Sequence, residues 1–148
     1  MNMPVTTTDL DCPPEVVFDY VTDPRRFSEW QQGVVSARME SEEPHCAGAR
    51  CVTRRKVGFV TRDFTSEVTH VDRPRSWGVR GIDGPIRAVV DVLVEPLDDG
   101  ARTRLTIGVD FEGRGFGALL VPLVVRPQAA REMPANLDRL KARIPGAG

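Results

Sequence analysis

Four polar residues fall where the alternation along two predicted strands would place apolar side chains. They are Thr53, Arg55, Ser66 and His70, and each shares the parity of apolar neighbours along its strand. A polar group on a buried face needs a hydrogen-bond partner or a ligand. Histidine can move a proton near neutral pH, and a guanidinium can bind a carboxylate or carbonyl oxygen. These residues are therefore the candidates for chemistry.

Simpler roles remain open for the same residues. The hydroxyls of Thr53 and Ser66 can bond within the sheet. Arg55 lies near a strand end, where its head can reach water along an apolar stem, and His70 lies near the turn "DRPR". No two of these side chains stand at a spacing typical of a cooperating acid and base, so the catalytic residues are left unassigned.

Two further motifs carry weaker signals. His45 and Cys46 beside Cys51 suggest a metal site, but the chain has no CxxC pair, so we expect neither a metal nor a cofactor. The stretch "GRGFG" at 113–117 lacks the strand, turn, helix and parallel strand that give a phosphate-binding loop its meaning. We interpret it as a flexible passage into a helix.

The composition is that of a soluble globular protein. The chain has 148 residues, 41% hydrophobic and 28% charged, which suits one domain over residues 1–148. A net charge of −1 gives no large field for nucleic acid. The longest apolar stretch, 116–125, is too short to span a bilayer, and no signal peptide is visible. Three cysteines form no even disulfide framework, so we expect reduced thiols and a cytoplasmic protein. We also expect a monomer or a homodimer.

Most of the segments that would position the candidates are strands. Alternation is strongest between Pro85 and Phe111, where the turn "PLDDG" at 96–100 separates two long antiparallel strands. Weaker strands are predicted at about 4–10, 33–40, 49–56, 61–71 and 76–82.

The remaining segments indicate helices, which makes the fold class α+β. In "PPEVVFDYVTDPRRFSEW", residues 13–30, one short helix begins at the proline pair and a second follows Asp23 as its cap. We expect Trp30 to be at least half buried at this corner. Apolar residues then recur at helical spacing from Leu119 to Ile144, and Pro127 predicts a kink.

Five stretches of the sequence resemble the START-related superfamily of polyketide cyclases/dehydrases and lipid-transfer proteins. They are "CPPEVVFDYVTDPRRFSEW", "SEVTHVDRPRSWGVRGIDGP", "EPLDDGARTRLT", "LDRLKARI" and Gly48 before a strand. The resemblance implies the helix-grip fold, in which a curved seven-stranded antiparallel sheet wraps around a long C-terminal helix. Two short helices then join strands 1 and 2. It also implies a deep cavity between the sheet and the long helix.

Strand parity assigns side chains to the implied cavity. The ligand-binding candidates are Cys51, Thr53, Arg55, Phe64, Ser66, His70, Trp77, Val79, Ala88, Val90, Leu119, Leu123 and Arg126. Arg126 has two explanations: either Pro127 turns it to solvent or to a surface carboxylate, or it holds the acidic end of a ligand. For the run that begins at Phe116, we expect packing against the short helices, with a gate or a membrane contact as alternatives.

Three functions follow from the resemblance. The first, which we favour, is binding or transport of a lipid, a polyketide or a similar apolar or amphipathic small molecule. The second is a polyketide aromatase/cyclase or dehydratase, in which cavity shape and an acid or base direct aldol closure. The third is a protein-interaction domain with a collapsed cavity, as in helix-grip relatives that modulate chaperones.

Overall fold

The computed structural model describes residues 4–40, 46–57 and 59–144. Its strands are β1 (Val5–Leu10), β2 (Val34–Met39), β3 (Arg50–Val57), β4 (Val60–Asp72), β5 (Ser76–Gly81), β6 (Ile86–Leu97) and β7 (Arg102–Gly113). Its α-helices are α1 (Pro14–Val21), α2 (Phe27–Trp30), α3 (Phe116–Leu120) and α4 (Arg126–Arg143). Short 3-10 turns lie at Pro24–Arg26 and Asp98–Gly100.

All seven strands form one antiparallel sheet in the order β1-β7-β6-β5-β4-β3-β2. The β3–β4 hairpin, the β5–β6 turn and the C-terminal end of β7 lie at the same end of the sheet, which we call the mouth. The β4–β5 and β6–β7 turns lie at the other end, which we call the closed end. The predicted sheet, the two short helices and the long C-terminal helix are all confirmed.

The first short helix covers the closed end, and the second lies between β2 and α4. Phe18 of α1 and Leu10 of β1 are fully buried, and Leu140 of α4 packs into the same core. Asp23 accepts a hydrogen bond from the backbone N–H of Arg25 at 3.0 Å, which caps the second turn as predicted. Trp30 is 4% exposed, which confirms the expectation that it is buried.

The C-terminal helical segment is irregular four residues earlier than the predicted kink. A π-helical turn at Val121–Val125 joins α3 to α4, and Pro127 sits harmlessly in the first turn of α4. At the start of α3, Gly117 is buried so closely against the Pro85 carbonyl that a β-carbon would collide with it. The segment is thus fixed to the sheet at Gly117. The added residue of the π turn changes which side chains of the following helix, α4, face the sheet.

A candidate ligand-binding groove

The concave face of the sheet is apolar and changes in burial from one end to the other. At the closed end, the cross-strand row of Trp77, Val92 and Ile107 is buried. One row nearer the mouth, Val79, Val90 and Val109 are only partly buried. The row beyond, Ala88 and Phe111, is partly exposed as well. The helix therefore covers one half of this face completely and the other half incompletely.

A narrow groove of about 70 Å³ lies where this cover is incomplete. Its walls are β1, β7 and the N-terminal half of α4, with Ala129, Ala130 and Met133 on the helix side. A larger depression of about 490 Å³ lies at the closed end, but prolines, Glu15, Arg75 and Asp99 line it and it is open to solvent. An apolar ligand is better matched by the groove, because pockets for such ligands are concave and mostly apolar.

Arg55 is the charged candidate that lies on the concave face, in line with Cys51 and Thr53 along β3. Its Nη2 donates to the Oε1 of Gln31 at 2.7 Å, and no carboxylate of a described residue forms an ion pair with it. Burial lowers the pKa of its guanidinium, an effect that the charge of Glu132 opposes. Arg55 does not line the groove itself, but most of its N–H donors are available to an acceptor elsewhere on the concave face beneath α4.

Arg126 borders the groove but already has partners. Its Nε donates to the Oδ1 of Asp110 at 2.8 Å, and its Nη2 donates to the backbone carbonyl of Phe111 at 3.3 Å. The hydrogen bond from Arg126 lowers the pKa of Asp110. Of the two predicted explanations, the surface carboxylate is the one observed, although the π turn rather than Pro127 sets the register.

His70 was expected on the concave face, and the structure places it on the opposite, convex face. A bulge between Val68 and His70 adds a residue to β4, so the alternation reverses after Val68. The His70 side chain is 48% exposed, and its Nε2 lies 3.8 Å from the Oδ1 of Asp91 on the convex face. The groove therefore loses its histidine candidate.

Leu119 and Leu123 were expected to line the cavity, and they do not. Their exposed fractions are 65% and 68%, and Phe116 is 85% exposed. The expectation that the run beginning at Phe116 packs against the short helices is likewise wrong. Leu119 lies two residues after Gly117, which is packed against the Pro85 carbonyl, so its side chain points to the opposite side of α3.

The other candidates keep their predicted face. Cys51, Thr53 and Trp77 are buried, and burial raises the pKa of the Cys51 thiol, which makes it a poor nucleophile. Phe64 and Ser66 are partly buried. The Tyr20 hydroxyl donates to the Oε1 of Glu29 at 2.8 Å rather than reaching the groove.

Several groups that matter at the groove had no signal in the sequence. Gln31 contacts Arg55, and Asp110 contacts Arg126 on α4; both contacts depend on the fold. The indole N–H groups of Trp30 and Trp77 are buried without a hydrogen-bond partner among the described residues.

The sequence also suggested a metal site at His45, Cys46 and Cys51. No group of three His, Cys, Asp or Glu that could hold a metal occurs within residues 4–40, 46–57 and 59–144, and His45 lies outside these ranges.

The fold and groove define a helix-grip protein with an apolar concave face beneath its C-terminal helix. A sequence profile of the family described as "Polyketide cyclase / dehydrase and lipid transport" matches residues 5–145. The chain belongs to this family. No protein of curated function matches the sequence.

Solved structures share the fold at low sequence identity. The Zhui aromatase/cyclase from Streptomyces sp. R1128 superposes with a TM-score of 0.77 at 15% identity, covering 99% of both chains. A START superfamily protein from Mycobacterium smegmatis gives 0.75 at 15% identity, covering 96% of both chains. The di-domain ARO/CYC BexL gives 0.74 at 15% identity, and the match covers 97% of this chain but only 46% of BexL. This chain thus corresponds to about half of the di-domain protein.

Proposed function

We propose that the protein binds an apolar or amphipathic small molecule, such as a lipid or a polyketide, between the concave face and the N-terminal half of α4. The observation that carries the proposal is the gradient of burial on the concave face. Val79, Val90 and Val109 are partly exposed beneath the helix, whereas the row of Trp77, Val92 and Ile107 is buried. Exposed apolar surface in a concave site is what an apolar ligand covers.

Entry of such a ligand requires the helix to move, because the groove of about 70 Å³ is smaller than the ~300 Å³ of typical ligand pockets. Pro134 lies within α4, between the mouth half and the buried Asn136 and Leu137. Because proline has no N–H, it removes one helical hydrogen bond at this position and weakens the helix there. We propose that the mouth half of α4 bends outward about Pro134 to admit the ligand.

A groove-filling substitution tests the binding site. Ala129 lines the groove and is partly buried, so Ala129→Trp should occupy the space and weaken binding of a fluorescent fatty acid at least tenfold, or about 1.4 kcal/mol. Arg131→Trp, at an exposed position two residues on, is the matched control and should bind like the wild type. Equal affinity in both variants would place the ligand elsewhere.

Native mass spectrometry of the protein purified from its own host would identify the natural ligand. We expect an apolar or amphipathic molecule of modest size. Repeated recovery of empty protein that also binds no apolar fluorescent probe would support the collapsed-cavity interaction domain instead. The small volume of the groove is the observation that favours this alternative.

Arg55 favours a second candidate function, a polyketide aromatase/cyclase. A guanidinium with free donors on an apolar face can stabilise the enolate oxygen that forms during aldol closure. With His70 on the convex face, no acid–base pair is assembled among the described residues of the groove, so we favour binding over catalysis. We also propose a cytoplasmic location, which the free thiols of Cys12, Cys46 and Cys51 support.

The role of Arg55 can be measured against its neighbour Lys56, which is exposed and points to the other face of β3. Arg55→Gln should weaken binding of a fatty acid by about 1.5 to 3 kcal/mol and leave binding of its methyl ester nearly unchanged. Lys56→Gln is the control and should change neither. If Arg55→Gln weakened both ligands equally, the residue would shape the groove without recognising an acidic oxygen.

A further inference from the structure

The mouth presents large apolar side chains to solvent from two separate projections. Phe59, at the tip of the β3–β4 hairpin, is fully exposed, and the neighbouring Val60 is 50% exposed. On the C-terminal segment, Phe116, Leu119 and Leu123 are 85%, 65% and 68% exposed. None of these five lines the groove. Apolar side chains grouped in this way mark an interaction surface.

The same end carries an excess of positive charge. Residues 54–63, 80–87 and 110–126 contain eight Lys or Arg and four Asp or Glu. The acids are already engaged: Asp63, Asp110 and Glu112 pair with arginines, and Asp83 accepts from the backbone N–H of Thr65.

Five of these eight cations remain uncompensated. Arg55 on the concave face, together with Lys56, Arg62, Arg87 and Arg114, forms no ion pair with a carboxylate anywhere in the described part of the chain. Between residues 113 and 125 the only charged side chain is Arg114. Exposed apolar side chains bordered by unpaired cations complement a partner that has an apolar interior and negatively charged groups at its surface.

We propose that the mouth docks on an anionic lipid surface, with Phe59 and the run Phe116–Val124 entering the interface and the free cations meeting the headgroups. Two projecting points suit insertion into a fluid interface, whereas a rigid protein partner would be met by a continuous flat or concave patch. The contact is peripheral, because no helix among the described residues is long and apolar enough to cross a membrane.

Vesicle flotation tests the docking surface. The wild type should bind vesicles that contain about 30 mol% phosphatidylglycerol and bind far less to vesicles of phosphatidylcholine alone. The double variant Phe59→Ser/Leu119→Ser should partition onto the anionic vesicles roughly tenfold more weakly. The control Leu93→Ser removes an apolar side chain that is 44% exposed and lies near the closed end, and it should bind like the wild type.

A charge series completes the experiment. Arg62→Gln/Arg114→Gln should also lower partitioning at least about tenfold, and its control Arg139→Gln/Lys141→Gln, on the exposed face at the far end of α4, should not. Failure of the wild type to bind anionic vesicles would overturn the proposal, as would equal losses in test and control variants. Self-association that Phe59→Ser/Leu119→Ser abolishes, without any vesicle binding, would assign the surface to a second copy of the chain.

Discussion

The two halves of α4 lie on the same sheet and are held to it very differently. Beyond Pro134, Asn136, Leu137 and Leu140 are buried, and the Asn136 Oδ1 accepts from the backbone N–H of Gln32 at 2.8 Å. Before it, Ala130 is exposed and Met133 is only partly buried. The polar links from this half to the sheet come from Arg126, which pairs with Asp110 and donates to the Phe111 carbonyl.

This difference shows how one fold can combine stability with access. The closed end contains the fully buried core, so its packing can hold the protein together whether or not the groove is filled. The mouth end buries less apolar area and therefore opens at lower free-energy cost. Substitutions at the two ends should then have opposite profiles: the closed end should govern unfolding, and the mouth should govern binding.

The largest expected effect is at Trp30. Its indole is 4% exposed and packs edge-on against Phe27, where α2 meets β2 and α4. Trp30→Ala should lower the free energy of unfolding by about 3 to 5 kcal/mol. Leu119→Ala, at the exposed mouth, should change it by less than about 0.5 kcal/mol. Chemical denaturation measures both, and similar values for the two variants would remove the distinction between the buried core and the exposed mouth.

The next effect is at the hydrogen bond that attaches α4 to the chain after α2. Asn136→Ala leaves the backbone N–H of Gln32 without its acceptor and should cost about 1 to 3 kcal/mol of stability. Gln128→Ala, which removes an exposed contact to Glu132 in the mouth half, should cost less than about 0.5 kcal/mol. A small effect at Asn136, measured by urea denaturation, would mean that water replaces the amide.

Tyr20 reports directly on the dryness of the corner between the short helices, because it is the only tyrosine of the chain. Burial, with the hydrogen bond to Glu29, raises its pKa to about 12 from the ordinary value of 10. The folded state holds this proton more tightly, so the stabilisation is complete below pH 10 and is lost as the pH rises through 12. Tyrosinate absorbance should show this shift, and Glu29→Gln should reduce it. A transition near 10 in folded protein would show that water reaches the ring.

The smallest expected effect is at the ion pair between Arg126 and Asp110. Arg126→Leu should cost about 0.2 to 1 kcal/mol at neutral pH, because the pair is partly exposed. The pKa of Asp110 is lowered in the folded state, so the pair stabilises the fold above the ordinary value of 3.8. The difference between wild type and variant should decline below pH 3.8 and vanish as the pH falls through the lowered pKa of the folded state. An equal difference at low pH would assign the loss to packing of the arginine stem.

Regular alternation made most of the fold predictable. β6 and β7 follow a strict period of two, and Asp23-Pro24 marks the corner between the short helices. The errors in the candidate site had two sources. The bulge after Val68 moved His70 to the convex face, and Leu119 points away from the buried Gly117, where α3 meets the sheet. The bulge depends on tertiary packing and has no local sequence signature, and it changed the face of His70 while Trp77 and Val79 on the next strand kept theirs.

The uneven distribution of charge also governs how the molecule moves before it touches anything. The whole chain has a net charge of −1, so the positive surplus at the mouth is balanced by a negative surplus elsewhere. The molecule is therefore an electric dipole, and a negatively charged surface exerts a torque on it that turns the mouth forward. This torque acts over roughly the Debye length, about 8 Å at physiological ionic strength. Orientation during diffusion thus precedes binding, and added salt slows productive encounters even where it leaves the final contacts intact.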